Sequence, residues 1–302
     1  MTAIYVEQGL DKGAIWHLGE VAKEARALAI GRAWADLSHR AVIAISGEDR
    51  LSWLHSLTTQ FLEGLAAGEW REALILDPNG HIEQQFFLVD DGATTFIHLD
   101  SERAASLIDY LSRMKFMLRV AVEDVSSEYA ILRAPGKSDA MGGPYAILPR
   151  SELAATMAAF NASNTQVGTW VLEAERIAAG RARVGLDTDY KTIPNEIGAL
   201  NKSVHMKKGC YRGQETVAKV FNLGQPPRRL VLLHLDGSSV ELPNPGTPIE
   251  SSGKQVGTLG SVARHHELGS IALGLVKRNT PMDAPLIIGG IAAAQEVVAP
   301  IE

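Results

Sequence analysis

The residues of this chain best suited to chemistry stand in one run, Lys207-Lys208-Gly209-Cys210-Tyr211-Arg212-Gly213-Gln214-Glu215. Cys210 is the only cysteine in 302 residues. It lies between two lysines and an arginine, not in the apolar run where a structural cysteine usually packs. The reactive form of cysteine is the thiolate; a free thiol titrates at about 8.5, and neighbouring cations or a helix N-terminus lower that value. Lys207, Lys208 and Arg212 supply cations, and a helix read as starting after Gly213 adds its dipole. The run predicts a reactive thiol, with Cys210 and Lys208 as the catalytic residues. Gly209 and Gly213 would permit backbone shapes and close approach that a Cβ blocks. Gln214 and Glu215 complete the run as its structural end. No histidine is spaced to serve Cys210 as a base; His205 could do so only if its loop folds back.

The wider charge pattern supports an anion-binding reading of the same region. The chain carries a net charge of −6, which argues against general affinity for nucleic acid. From Lys202 to Arg229, however, seven basic residues (Lys202, Lys207, Lys208, Arg212, Lys219, Arg228 and Arg229) face one acid, Glu215, a local charge of +6. A charge run is usually a solvated face; here it coincides with the cysteine and several glycines. Hydrophobic content of 46% is ordinary for a globular protein. No apolar run approaches the ~20 residues that span a bilayer. The N-terminal residues read neither as a secretory signal nor as a transit peptide. A single cysteine excludes an internal disulfide and a Cys-only metal site, and a reducing cytoplasm fits best. There is no P-loop, no GxGxxG after a strand and no GxSxG.

The elements that must position the run are read from periodicity. Glu20 to Ala33 has one apolar helical stripe. Ala41 to Ile45 reads as a strand, and Ser46-Gly47-Glu48-Asp49 turns into a helix carrying Leu51, Leu54, Leu57 and Phe61. Glu72 to Leu76 and Ile82 to Asp90 pair around the turn Asp77-Pro78-Asn79-Gly80. Thr94 to Leu99 is a strand, and Ser101, read as an N-cap, opens a helix through Met114. Val120 to Val125 and Tyr129 to Arg133 are strands. Helices follow Ser151 and Thr169, the second stopping at Gly180. The stretch 185–209 is irregular, and loops of that length inside domains are often functional. After Gly224-Gln225-Pro226-Pro227, short strands alternate with turns: 229–235, 248–250, 255–262, 270–276 and 285–288. Residues 227–302 read as a separate, small β-barrel, and residues 1–226 as the α+β region before it. His265-His266 reads as an exposed turn, and His39 and His81 as structural histidines.

With these pieces in order, the chain resembles the folate-binding YgfZ/IBA57-like branch of the glycine-cleavage T-protein (aminomethyltransferase) superfamily. The branch signature Lys-Gly-Cys-Tyr-x-Gly-Gln-Glu is present without departure at 208–215. Further agreement spans most of the chain: Asp36-Leu37-Ser38-His39, Gly47 to Leu57, the Gly80 hairpin, Arg176 with Gly180, Gly185, Pro194, Glu196, and Gly253 to Gly257. The resemblance implies a three-lobed α+β fold, two interwoven lobes forming a folate pocket and the C-terminal barrel closing it. It implies that Glu196 hydrogen-bonds a pterin edge through its acceptor oxygens. Lys207 and Lys208 fall near the family's folate-side basic position and Tyr211 near its aromatic one, and Arg176, Gln84 and Gln85 complete the residues placed around a tetrahydrofolate.

One departure separates branches. T-proteins carry an acidic pair shortly after the hairpin glycine, one member of which is needed for aminomethyl transfer; here the corresponding residues are Gln84 and Gln85. An amide cannot accept that proton. Glu83 lies one residue earlier, and a one-residue step along a strand reverses the face. The resemblance therefore implies a tetrahydrofolate-binding factor for assembly or repair of iron–sulfur enzymes, including tRNA-modifying ones, with folate and those proteins as partners, tRNA only indirectly, and no membrane. A folate-dependent aminomethyltransferase or other one-carbon transferase is the alternative, and a non-catalytic binding module a third reading. Whether the chain is an enzyme is left open.

Overall fold

The computed structural model describes residues 2–224, 226–237 and 239–298. The chain divides into two compact units. The first comprises Met1–Ile75, Gln84–Val171 and Lys207–Tyr211; the second comprises Leu76–Glu83, Leu172–Met206 and Arg212–Glu302. The signature run is thus cut between Tyr211 and Arg212, and each part is described within its own unit.

The first unit is α+β. Its larger sheet has the strand order Trp70–Leu76, Ile82–Asp90, Thr94–Leu99, Ala41–Ser46, Ala121–Asp124. Helices Arg50–Leu57 and Ser101–Met114 cover one face, packing Trp53, Leu54, Leu107 and Leu111 on Ile43, Ile45, Phe86, Leu88 and Ile97. In helix Ser101–Met114 the buried residues Ala104, Leu107 and Leu111 fall three and four apart, as one apolar stripe requires. A second sheet runs Tyr145–Pro149, Tyr129–Arg133, Ala33–Asp36, Thr165–Gln166, with helix Arg150–Asn161 packing Leu153, Met157 and Phe160 near Trp34 and Leu132.

The second unit contains a closed six-stranded barrel. Its order is Arg228–Leu235, Gly269–Lys277, Lys254–His265, Pro248–Ser251, Leu286–Ile288 and Ile291–Val297, the last pairing back onto the first. Val231, Leu233, Ile249, Leu259, Ala272, Val276 and Ile288 fill it. Closure leaves no free sheet edge. The helix Gln214–Leu223, the 3-10 turn Pro194–Glu196 and the hairpin tip Leu76–Glu83 complete this unit.

Four expectations change. The helix from Glu20 ends at Ala29, and Ala33–Asp36 is a buried strand. Gly31, with φ +75°, breaks the helix where a Cβ would sit 2.9 Å from the Lys137 nitrogen. A buried apolar strand and a helical stripe look alike by periodicity. Ser101 is the first helical residue rather than its cap, and its hydroxyl donates to the His39 carbonyl. Strands Tyr145–Pro149 and Ile291–Val297 escape the pattern. His265 ends a strand with its side chain only 7% exposed, so it is not part of an open turn.

Candidate functional site

In the first unit, the arm Lys207–Tyr211 is held by Lys208. Its stem and ammonium are buried, and Nζ donates to the carbonyls of His55, Thr58 (2.5 Å) and Gln60 (3.1 Å). These carbonyls lie at the C-terminal end of helix Arg50–Leu57, where backbone acceptors lack helical partners and the dipole favours a cation. Burial pushes the Lys208 amine down to about 8. The same ammonium stands 5.3 Å from the centroid of the Tyr211 ring, and burial pushes the Tyr211 phenol up to about 12. Cys210 is exposed.

This corrects two expectations. Lys208, expected beside the thiol as a catalytic group, is committed to three backbone carbonyls. Gly209 has no left-handed φ, and no atom of the described residues lies within 4 Å of where its Cβ would be, so the fold does not demand a glycine there. Lys207 is an exposed residue of the arm.

In the second unit, Gly213 is required by geometry. Its φ is +81°, and a Cβ would lie 2.5 Å from the Asp77 carbonyl oxygen and 2.9 Å from the Gly80 Cα. Gly80, with φ +85°, is equally confined, its Cβ position lying 2.8 Å from Thr216 Cβ. The two glycines let the hairpin tip and the start of helix Gln214–Leu223 touch through bare backbone. Gln214 is the first residue of that helix, and Glu215 places a carboxylate in its first turn, where the dipole favours it. The hairpin tip is braced by Asp77, whose Oδ1 accepts from the Asn79 and His81 amides at 2.8 Å and whose Oδ2 meets His81 Nδ1 at 3.0 Å. Burial alone would raise the Asp77 carboxyl; the bonds from His81 and Asn79 outweigh it and hold it below its usual range.

Glu196 stands on the turn Pro194–Glu196 with its side chain fully buried. Arg228, the first residue of the barrel, donates to it through Nε (2.8 Å, Oε1) and a terminal nitrogen (2.9 Å, Oε2), and the Ile193 amide donates to Oε2 at 3.1 Å. Arg228 also reaches Asp189 at 2.6 Å and 3.1 Å. Burial would raise the Asp189 carboxyl; hydrogen bonds from Arg228, Thr192 and the Lys191 amide overcome it and set it at about 2. Beside this network lies a cleft of about 520 Å³ lined by Asn79, His81, Lys191, Thr216, Val220 and Arg228, with Ile193, Glu196 and Pro227. Thus the hairpin tip, the irregular stretch, the helix after Gly213 and the barrel entrance converge on one concavity.

Comparison with known proteins gives this arrangement its context. Residues 228–299 match the CAF17 C-terminal beta-barrel domain family. The chain is 24% identical over 292 residues to a putative transferase, At1g60990, chloroplastic, of Arabidopsis thaliana, covering 80% of this chain and 65% of that protein. It is 24% identical over 246 residues to the mitochondrial iron-sulfur cluster assembly factor IBA57 homolog of Mycosarcoma maydis, covering 71% of this chain and 60% of that protein. It is 25% identical over 301 residues to the tRNA-modifying protein YgfZ of Edwardsiella ictaluri (strain 93-146), covering 86% and 88%. The chain therefore spans under two thirds of the length of the first two. The crystal structure of glycine cleavage system aminomethyltransferase T from Bartonella henselae shares the fold, with a TM-score of 0.81 at 16% identity over 99% of this chain and 94% of that one. By sequence the chain is similar to proteins named IBA57 and YgfZ, and its fold is that of a T-protein aminomethyltransferase.

In this chain the two glutamines of the hairpin do not act as a pair. Along Ile82–Asp90, burial alternates strictly from Ile82 to Gln84, Phe86 and Leu88. Gln84 faces the core, its amide nitrogen donating to Ser106 Oγ at 2.9 Å and its oxygen buried with no hydrogen-bond partner among the described residues. Gln85 lies on the opposite face, bonded to Glu72 at 2.6 Å. Glu83 shares the Gln85 face and forms an ion pair with Arg212 at 3.1 Å. Only Gln85 of the two expected folate-side amides is thus on the outer face.

Arg176 is likewise not free for a ligand. It binds Glu173 (2.9 Å) and Asp187 (2.8 Å) and donates to Ser261 Oγ, while Asp187 accepts from the Ser261 amide at 2.6 Å. Burial opposes its charge, but Glu173 and Asp187 raise its pKa above the ordinary guanidinium value. It ties helix Thr169–Ala178 to a barrel strand. The +6 stretch is not an open cationic strip either: Lys208 is buried, Arg212 and Arg228 are ion-paired, and Arg229 donates to the carbonyls of Arg278 and Thr280 at 2.6 Å.

Sequence reasoning missed Arg228, Asn79 and Lys191 as cleft residues. In the sequence Arg228 stands out only as a member of a charge run. Its buried partner lies 32 residues upstream, and nothing in local spacing joins an arginine at a strand start to a turn glutamate. His81, a structural histidine by its sequence context, is both a brace for the tip and a wall of the cleft.

Proposed function

We propose that this chain is a tetrahydrofolate-linked factor supporting assembly or repair of iron–sulfur enzymes, tRNA-modifying ones among them, and that Cys210 is its acting thiol. The observation that carries this reading is an exposed, unique thiol set in the signature Lys208-Gly209-Cys210-Tyr211-Arg212-Gly213-Gln214-Glu215 on a T-protein fold. The named iron–sulfur and tRNA-modifying relatives give it direction. One cysteine cannot hold a cluster alone, since clusters typically take about four ligands, so a transient cluster at Cys210 would need further ligands from a partner or a second copy of the chain. A reducing compartment, the cytoplasm, suits an exposed free thiol.

The fit to a reduced folate is partial. A cleft of about 520 Å³ is within the range of small-molecule sites, ~300–1,000 Å³. Asn79, Thr216, His81 and Arg228 offer donors to a ring edge or carboxylate. Glu196 does not offer its acceptors directly, because both oxygens already receive hydrogen bonds and its side chain is buried. In this reading Glu196 orients Arg228, and Arg228 meets the ligand. A reduced folate supplies a one-carbon carrier; the chain binds and orients it.

Two measurements test the reading. Calorimetric titration of tetrahydrofolate into wild type and Arg228→Met is expected to show binding that the variant loses. In cells lacking their own relative, the wild-type chain is expected to restore iron–sulfur enzyme activity and Cys210→Ser to fail. Full rescue by Cys210→Ser sinks the thiol role.

The one-carbon transferase reading rests on Glu83. That carboxylate is paired with Arg212 and lies opposite the core-facing Gln84. Folate-dependent turnover of a small amine that disappears in Glu83→Gln would favour it.

A further inference from the structure

We propose that Asp189 stands in for the ligand: it occupies the one exchangeable edge of Arg228 beside the cleft, and a ligand is admitted by a carboxylate of its own that displaces it. This rests on the reading in which Arg228 meets the ligand of that cleft. It adds what the ligand must carry and what fills its seat until it arrives.

The two edges of Arg228 differ in how firmly they are held. The guanidinium presents five N–H donors in a fixed planar fork. One edge is bound to Glu196, through Nε to Oε1 at 2.8 Å and a terminal nitrogen to Oε2 at 2.9 Å. That side chain has no exposed surface, and the Ile193 amide donates to its Oε2 as well. Breaking this pair would strand a charge in the interior, so the edge is permanent. The other edge is bound to Asp189, at 2.6 Å to Oδ2 and 3.1 Å to Oδ1. The Asp189 side chain is 47% exposed. On release it is solvated by water, and a pair exposed to this degree is weakly held. Arg228 therefore keeps one carboxylate and can exchange the other.

The geometry also defines the incoming group. The exchangeable edge already holds a planar, two-oxygen anion, and a ligand carboxylate matches the same fork. Arg228 lines the cleft with Asn79, His81, Lys191 and Thr216, so an anion seated on it belongs to a ligand inside the cleft. Asp189 also accepts from the Lys191 amide at 3.0 Å and the Thr192 hydroxyl at 2.9 Å. Those bonds hold its turn together when the guanidinium contact opens. A neutral ring without a carboxylate cannot take the seat, so the contact screens against such ligands. A site filled by its own side chain shows an apparent affinity lowered by the fraction of time it is closed. Removing Asp189 should therefore tighten binding, the reverse of losing a binding residue.

The test is calorimetric titration of the full chain with tetrahydrofolate, in wild type, Asp189→Ser and Glu215→Gln. Serine clears the seat, and its hydroxyl can still accept from the Lys191 amide. Glu215→Gln removes an equal charge one residue from the cleft-lining Thr216 and leaves the seat filled. Asp189→Ser should bind about five- to tenfold tighter than wild type, and Glu215→Gln within about twofold of it. Asp189→Asn, which keeps the turn but not the charge, should move the same way as serine. In parallel, glutarate, a dicarboxylate without a ring, is titrated against the Arg228 Nε–H signal in the ¹H–¹⁵N spectrum. It should shift that signal in Asp189→Ser at a concentration about five- to tenfold lower than in wild type. Tetrahydrofolate bound no more tightly by Asp189→Ser than by wild type overturns the proposal. So does an equal gain in Glu215→Gln, or a glutarate response that is the same in both proteins. Failure of the folate reading looks different. If tetrahydrofolate binds neither protein while glutarate still distinguishes them, the folate assignment falls and the role of Asp189 stands. If tetrahydrofolate binds both equally, the role of Asp189 falls and the assignment stands.

Discussion

Gly80 and Gly213 pack backbone to backbone: a Cβ on Gly213 would lie 2.9 Å from the Gly80 Cα, and both residues hold a left-handed φ. One belongs to a hairpin tip and the other to the signature run, 133 residues apart by their numbering. The glycine of the signature is therefore a contact requirement between two chain segments, and the Gly209 beside the cysteine is not. Gly213→Ala and Gly80→Ala should each destabilise the protein by about 2 kcal/mol or more, from strain and clash together. Gly209→Ala should stay within about 0.5 kcal/mol of wild type. Denaturant melts of the three variants measure this; equal stability of all three would refute the steric account.

Arg228 compensates two carboxylates, one of them with a fully buried side chain. Removing one partner of a buried pair leaves an uncompensated charge, which costs about 3–5 kcal/mol. Arg228→Met should approach that loss at pH 7. The double variant Arg228→Met with Glu196→Gln should recover part of it. A double-mutant cycle by thermal unfolding measures the coupling, and additive losses would show that the pair does not interact.

The same arginine sets an acid dependence. Asp189 titrates at about 2 in the fold, below its ordinary value of 3.8. Its contribution is present in full above the unfolded value and is lost as pH falls through about 2. Between pH 5 and pH 2 the wild type should lose stability more steeply than Arg228→Met, which no longer has that bond to lose. Parallel curves would remove Asp189 from the account.

His98 is fully buried among Trp70, Phe87 and Tyr145, stacked on Phe87 at 5.0 Å, and among the described residues neither ring nitrogen has a hydrogen-bond partner. Burial, with Arg40 nearby, holds its pKa well below the usual 6.5. Protonation therefore favours the unfolded chain, and stability falls as pH drops below about 6.5. His98→Phe should be close to neutral at pH 8, because an unsatisfied polar ring is exchanged for an apolar one of similar shape. It should exceed wild type at pH 5. Melting temperatures at the two pH values decide it, and an unchanged difference would exclude His98.

Arg176 separates ligand binding from folding. Its bonds to Glu173, Asp187 and Ser261 are internal to the second unit. Arg176→Met should lower stability by about 3 kcal/mol or more. At a temperature where the variant is still folded, tetrahydrofolate affinity should be unchanged. A selective loss of affinity would restore Arg176 to the binding site.

Much of the architecture was legible in the sequence. The hairpin around Asp77 to Gly80, the helix Ser101–Met114 and five of the barrel strands follow from alternation, apolar spacing and turn residues, all local properties. The signature 208–215 marked the right segment for attention because its residue types are improbable in a core. What sequence alone could not decide was the direction of each charged side chain. Lys208 looked like a neighbour of the thiol and points into a helix end; Arg176 and Glu196 looked like ligand groups and bind Asp187 and Arg228; Gln84 and Gln85 looked like a pair and face opposite ways. Composition and spacing determine where a charge sits along the chain. The partner that compensates it comes from segments distant in sequence, and only the tertiary structure chooses between solvent, ligand and a buried carbonyl or carboxylate, because desolvation makes the unpaired alternative too costly.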